Sequence, residues 1–205
     1  HQDRLHIYSV NPRSTVSQLL IKESVSKYVK EDVMSSTIIG KSHILMPSDR
    51  DGNMHLYVYT MNGTMERKIG DGKYDITNVY GYDEATGDVY YQAAALNAHD
   101  RQVYVNHKNG KTVRLTQQEG WNQAIFSGDY KYFINTWSDK DHPYIYTIRD
   151  NNGKILSTPV DNKELVDKLA NYPITQKEMF SFTTSEGVVL DGWMIKPADF
   201  NPNKK

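Results

Sequence analysis

A Tyr-bearing strand that runs into a tight turn recurs four times along this chain, and no other feature limits its possible folds as strongly. The copies are Leu5-His6-Ile7-Tyr8-Ser9-Val10 before Asn11-Pro12, His55-Leu56-Tyr57-Val58-Tyr59-Thr60 before Asn62-Gly63, Gln102-Val103-Tyr104-Val105-Asn106 before Asn109-Gly110, and Tyr144-Ile145-Tyr146-Thr147-Ile148 before Asn152-Gly153. Aligned on Tyr8, Tyr57, Tyr104 and Tyr146, they are spaced by 49, 47 and 42 residues. A strand-turn-strand unit repeating every 40–50 residues is the mark of β-propeller blades, in which each four-stranded blade buries its faces against its neighbours.

Between the Tyr strands lie further short apolar runs: 37–39 and 43–46, then 76–82 and 88–94, then 123–127 and 132–137. Fifteen Tyr against five Phe suit strands with one half-wet face, because the ring packs while the hydroxyl reaches water or backbone. The Asn-Gly and Asp-Gly pairs supply the φ > 0 positions that a two-residue hairpin needs. The pattern divides as follows: residues 1–22 form the outer half of a blade, 23–75, 76–120 and 121–160 form three blades, and 22–32 is a charged, irregular connection. Residues 15–21 read as the partner of the first Tyr strand. From 161 to 178 the period changes to helical, with Asp161-Asn162-Lys163-Glu164 at capping-box spacing and Leu165, Val166, Leu169 and Tyr172 on one face. Residues 179–205 read as a hairpin opening a different domain. The expected class is therefore all-β, a partial β-propeller of four-stranded antiparallel blades with one short helix and a C-terminal hairpin.

The chain opens at His1 inside a strand pattern and stops at Lys205 just after a strand, so it reads as an excised segment of a longer protein. A formal net charge of −1 gives no broad attraction to nucleic acid or anionic lipid. With no Cys there is no disulfide framework, thiolate metal site or Cys nucleophile.

The chemical inventory is thin. There is no Gly-x-Ser-x-Gly elbow and no Gly-rich phosphate loop. The seven histidines (His1, His6, His43, His55, His99, His107, His142) lack the i, i+4 spacing of a helical zinc site and read as surface or turn residues. Asp49-Arg50-Asp51-Gly52 begins like a calcium loop, but Thr60 stands where the bidentate Glu belongs, so it reads as a blade turn. Asn62-Gly63-Thr64 fits a glycosylation sequon, and a hairpin explains the same residues. The Ser, His and Asp residues show no spacing that argues for a triad. Residue by residue this is a scaffold, with no catalytic, cofactor-binding or metal residue to name.

Three stretches carry a resemblance. They are Gly81-Tyr82-Asp83-Glu84 with Val89-Tyr90-Tyr91 and Leu115-Thr116, then 120–127 followed by Asp129-Tyr130-Lys131-Tyr132-Phe133, and 190–197 with Phe200-Asn201-Pro202. In order and spacing they resemble the N-terminal propeller of the dipeptidyl peptidase IV group, within the prolyl oligopeptidase family of serine peptidases. The resemblance implies an eight-bladed propeller capping an α/β-hydrolase domain, whose first hairpin would be 179–205, and removal of dipeptides from peptide N-termini after Pro or Ala. In that family the catalytic Ser, Asp and His and the oxyanion-hole Tyr come after the segment matched here. The paired glutamates that hold the substrate amine come before it. No site residue is therefore carried over. The segment's implied share is to wall and gate the substrate chamber and dock the hydrolase domain of the same chain, without catalysing by itself.

Its implied partners are peptide substrates and that hydrolase domain, with no cofactor and no nucleic acid. The full-length protein is expected to be a homodimer, and the isolated segment to self-associate through uncovered blade faces. The implied location is exported, in a bacterial periplasm or cell envelope. The alternative reading is a non-enzymatic propeller that binds protein or polysaccharide, since a propeller fixes no function.

Overall fold

The computed structural model describes residues 2–203, with Asp32 described through its backbone alone. Its described strands form three four-stranded sheets and two two-stranded ones, every pair antiparallel. The chain divides into two compact units, His1–Ala95 with Val103–Leu115, and Leu96–Gln102 with Thr116–Lys205.

In the first unit β1 (Arg4–Val10) pairs with β2 (Ser17–Ser24). The second strand starts later and runs further than the 15–21 read from sequence, so it takes in part of the charged stretch assigned to a connection. That stretch also holds a helix the sequence reading lacked, α1 (Glu31–Ser35), which buries Val33. Then come β3 (Ile38–Ile39), β4 (His43–Ser48), β5 (His55–Thr60) and β6 (Met65–Ile69), paired in chain order. The strands β7 (Ile76–Asp83), β8 (Asp88–Ala93), β9 (Gln102–Asn106) and β10 (Thr112–Arg114) repeat the plan. Tyr57 and Tyr104 thus lie on third strands.

Central strands β4 and β5 are apolar at consecutive positions because both their faces are covered. Ile44, Met46, Tyr57 and Tyr59 join Leu5, Ile7 and Ile21 in one cluster. Leu45, Leu56 and Val58 join Val89, Tyr91 and Tyr104 in another. Each such side chain contributes about 1.5–3 kcal/mol on burial. Pro47, which has no N–H for a ladder, sits beyond the end of β3, whose pairing with β4 reaches only Ile44 and Leu45.

The Asn-Gly turns differ from the two-residue hairpins expected. In the 60–63, 107–110, 150–153 and 184–187 turns the glycine N–H donates to the carbonyl three residues back, at 2.8–3.0 Å. Glycine alone takes positive φ there (Gly63 at 85°), while Asn62, Asn109 and Asn152 do not. These are three-residue loops, a type I turn followed by a left-handed glycine. The loop remains a hairpin, with the special conformation moved onto one residue.

The second unit carries β11 (Trp121–Phe126), β12 (Tyr132–Ser138), β13 (Ile145–Asp150) and β14 (Ile155–Val160), again in chain order, with Tyr146 on the third strand. One face buries Ala124, Phe133 and Trp137 beside a polar network centred on Asn122. Its side-chain amide donates to the Arg101 and Gln118 carbonyls at 3.1 and 3.0 Å and to Gln102 Oε1 at 3.2 Å, and its Oδ1 accepts from Asn135 at 3.0 Å. The other face sets Ile125, Ile134 and Ile148 in one cross-strand row. Ile125 and Ile134 are exposed.

Helix α2 (Lys163–Leu169) forms without the expected capping box. Asn162 stands at its N-cap in a left-handed conformation, makes no side-chain cap, and donates its amide to the Tyr144 carbonyl. Leu165, Val166, Leu169 and Tyr172 are all exposed. Strands β15 (Glu178–Thr183) and β16 (Val189–Met194) close the chain as a hairpin, in which the Phe180 ring lies over Gly192 so closely that a Cβ there would meet it at 2.7 Å.

Candidate functional site

The second unit presents a cleft of about 620 Å³, formed where loop ends of the β11–β14 sheet meet the tail hairpin. Four stretches converge on it. The connection before β9 brings His99 and Asp100, the start of β11 brings Glu119 and Trp121, the β12–β13 loop brings Asp139, Asp141 and Tyr144, and the hairpin brings Trp193. Each is positioned by local chemistry. Asn97 accepts from the Asp100 N–H at 2.7 Å and donates to its carboxylate at 2.8 Å. Asp139 accepts from the N–H groups of Asp141 and His142 and from the His142 ring at 2.7–2.9 Å. Burial pulls the Asp139 carboxyl up, but those donors outweigh it and hold the group below the usual carboxylate range.

Both indoles already face cations of the same unit: the Arg101 guanidinium lies 4.8 Å from the Trp121 ring and Lys177 Nζ 5.1 Å from Trp193. The hairpin also approaches through Asp191, 3.8 Å from His99 Nδ1. Rings and carboxylates of this kind can hold a polypeptide surface. Ser138 also lines the cleft, and among the described residues no histidine is hydrogen-bonded to it.

The residues weighed in the sequence lie apart. His1 falls outside the described residues. His107 pairs with Asp88 at 2.9 Å, and His142 with Asp139. His55 corrects the surface-or-turn reading: it is wholly buried, and its Nε2 accepts the Gly72 N–H at 3.1 Å. Burial pushes its imidazole pKa down. Among the described residues no three His, Asp or Glu side chains gather as a group able to hold a metal ion. In the 49–52 turn, Asp49 is committed to Lys30 at 3.3 Å and Asp51 to Lys68 at 2.6 Å. Arg50 reaches back to the buried Glu23 and lies 4.0 Å from the Tyr57 ring.

One constellation went unnoticed in the sequence. Ser42 Oγ lies 2.6 Å from His43 Nδ1, and His43 Nε2 lies 3.0 Å from Glu66 Oε2. The composition is that of a Ser-His-acid triad, but the Ser42 hydroxyl is bonded to Glu84, whose other oxygen accepts the N–H groups of Lys41 and Ser42 at 2.6 and 3.2 Å. The hydroxyl proton and the nearby amides are therefore both engaged. Such a serine is not poised to attack.

The family model described as "Dipeptidyl peptidase IV (DPP IV) N-terminal region" matches residues 1–144. The chain belongs to this family. Among relatives of the dipeptidyl peptidase IV N-terminal region, the dipeptidyl peptidase 4 of Trichophyton equinum is 25% identical over all of this chain and 27% of its own length. A probable dipeptidyl peptidase 4 of Aspergillus flavus is 24% identical, over all of this chain and 28% of its own. The crystal structure of Porphyromonas gingivalis dipeptidyl peptidase 4 superposes with a TM-score of 0.93 at 34% identity, over 99% of this chain and 29% of that one. A putative dipeptidyl aminopeptidase IV from Bacteroides ovatus shares the fold, with a TM-score of 0.81 at 19% identity over 100% of this chain and 32% of that one. The chain thus spans little more than a quarter of the curated relatives it matches. The dipeptidyl peptidase IV propeller accounts for the blades.

Proposed function

We propose that this chain is the distal part of the propeller of a serine-type dipeptidyl peptidase, which removes N-terminal dipeptides with Pro or Ala in second position. Its role is to wall and gate the substrate chamber, with the blades at 23–75, 76–120 and 121–160 and the helical connection at 161–178. The β15–β16 hairpin is the opening of the α/β-hydrolase domain of the same protein, and the cleft beside it lies where that domain docks. The chemistry is acyl transfer by a serine with a histidine base, carried out by residues outside this chain. In this reading the full-length protein is an exported homodimer.

The observation that carries the proposal is the 0.93 superposition on Porphyromonas gingivalis dipeptidyl peptidase 4, which extends through the tail hairpin to 99% of the chain. The test is to read the gene beyond Lys205 and assay the full-length product on a Gly-Pro chromogenic substrate. A Gly-Trp-Ser-Tyr-Gly-Gly-like elbow with a later Asp and His, and turnover abolished by replacing that serine, is the expected result. A stop codon, further blades, or no turnover would return the chain to a binding scaffold.

A further inference from the structure

Three Asn-Gly pairs close hairpins of one backbone geometry, and they differ in what holds the asparagine side chain. In the 60–63 turn Asn62 Oδ1 accepts the Thr64 N–H at 3.2 Å and also takes the Thr60 hydroxyl. In the 107–110 turn Asn109 Oδ1 accepts the Lys111 N–H at 3.0 Å. Each asparagine thus bonds the backbone two residues on, as such side chains do in turns. In the 150–153 turn that duty has passed to another residue. Asp150 Oδ1 accepts the N–H groups of Asn152 and Lys154 at 3.0 and 2.9 Å. The Asn152 side chain is left exposed and bonds no described residue.

An asparagine before glycine carries a latent reaction. The glycine nitrogen gives its proton to hydroxide and adds to the asparagine Cγ. The N–Cγ bond forms, the Cγ–Nδ2 bond breaks, and ammonia leaves with a proton from water. Water then opens the five-membered imide at either carbonyl, leaving aspartate or isoaspartate, so the sum is water in and ammonia out. Glycine permits the approach because it has no Cβ in the way. The glycine N–H makes the same 2.8–3.0 Å bond in all three turns, so the backbone does not rank them. The side chain does. Ring closure swings Cγ onto the following nitrogen, and an Oδ1 tied to the next N–H but one resists that swing.

We propose that Asn152 is a site of spontaneous deamidation, the first of the three Asn-Gly pairs to convert in the folded protein. The change reaches the core through one bond. Isoaspartate lengthens the main chain by a methylene next to Gly153, whose carbonyl accepts from the buried Arg149 at 3.2 Å. It also sets a second carboxylate beside Asp150, in the loop that Asp150 organises.

The test holds the full-length protein at mildly alkaline pH beside a sample unfolded in guanidinium. Aliquots are digested in acid, where the reaction stops, and peptides are weighed, with the altered residue located by fragmentation. In the folded sample Asn152 is expected to gain the mass difference between amide and acid about fivefold faster than Asn62 or Asn109. That factor corresponds to ~1 kcal/mol of side-chain anchoring at about 1.4 kcal/mol per tenfold in rate. In guanidinium the three rates are expected to converge. Three outcomes overturn the proposal: Asn62 or Asn109 converting as fast as Asn152 in the folded protein, Asn152 staying intact while the unfolded chain converts, or the same ranking persisting in guanidinium.

Discussion

His55 shows how burial turns a residue that looks superficial in sequence into a pH-sensitive one. Its Nε2 must be unprotonated to accept from Gly72, and burial depresses its proton affinity in the folded chain. The unfolded chain therefore takes up the proton first, so the stabilisation is full above the ordinary value of 6.5 and is lost as pH falls through the depressed folded value. Melting between pH 8 and pH 5 should drop more steeply for wild type than for His55→Gln, and parallel curves would remove His55 as the cause. Glycine positions are also separable. At Gly63 a Cβ would meet the Leu20 carbonyl oxygen at 2.1 Å, whereas at Gly110, with nearly the same φ, nothing lies within 4 Å. Gly110→Ala should cost about 1–2 kcal/mol for the left-handed conformation alone. Gly63→Ala should cost clearly more in the same denaturation experiment, because backbone must move as well.

At the scale of elements, the sheets are held in two ways. In the first unit Leu, Ile, Val and Tyr side chains fill both sides of β4 and β5, and that pattern is plain in the sequence as short apolar runs. In the β11–β14 sheet the buried side chains include Asn122, Asn135, Thr147 and Arg149, which read as surface residues from composition alone. Some of their partners are local, but others lie far along the chain, where no local pattern reveals them: Asn122 donates to the Arg101 carbonyl, Asn135 to Asn122 Oδ1 and Arg149 to Gln118 Oε1. Asn122→Ala would strand the Asn135 amide, at a cost of about 1–3 kcal/mol for a buried group left unsatisfied, while the Arg101 and Gln118 carbonyls and Gln102 Oε1 each keep another donor. Urea unfolding followed by the fluorescence of Trp121 and Trp137 should show a loss of that size or more, and a change within 0.5 kcal/mol would mean water replaces the amide.

At the scale of the whole molecule, a blade row with one side open has a physical consequence. Ile125, Ile134 and Ile148 form an apolar row with two members exposed, whereas strands β4 and β5 of the first unit are covered on both faces. The isolated 205-residue chain is expected to self-associate through it, and Ile125→Lys with Ile134→Lys to shift light scattering toward the monomer. A wild-type monomer at high concentration would refute this. The isolated chain is also expected to leave a Gly-Pro chromogenic substrate uncut, and turnover copurifying with it would contradict its assignment as a scaffold.

The Tyr repeat, the turn glycines and the shift to helical spacing after residue 160 determined by themselves that the chain is a run of antiparallel blades with a different element at its end. Periodicity suffices for this because a strand's alternation and a turn's φ requirement are local properties. The tertiary structure decided the rest. It placed His55 in the core, gathered Ser42, His43, Glu66 and Glu84 at one corner, and left the α2 capping box unmade, with Asn162 left-handed at the N-cap and its amide on the Tyr144 carbonyl. Each of these depends on partners that the one-dimensional order keeps apart, and only the packing of sheets brings them within hydrogen-bond distance.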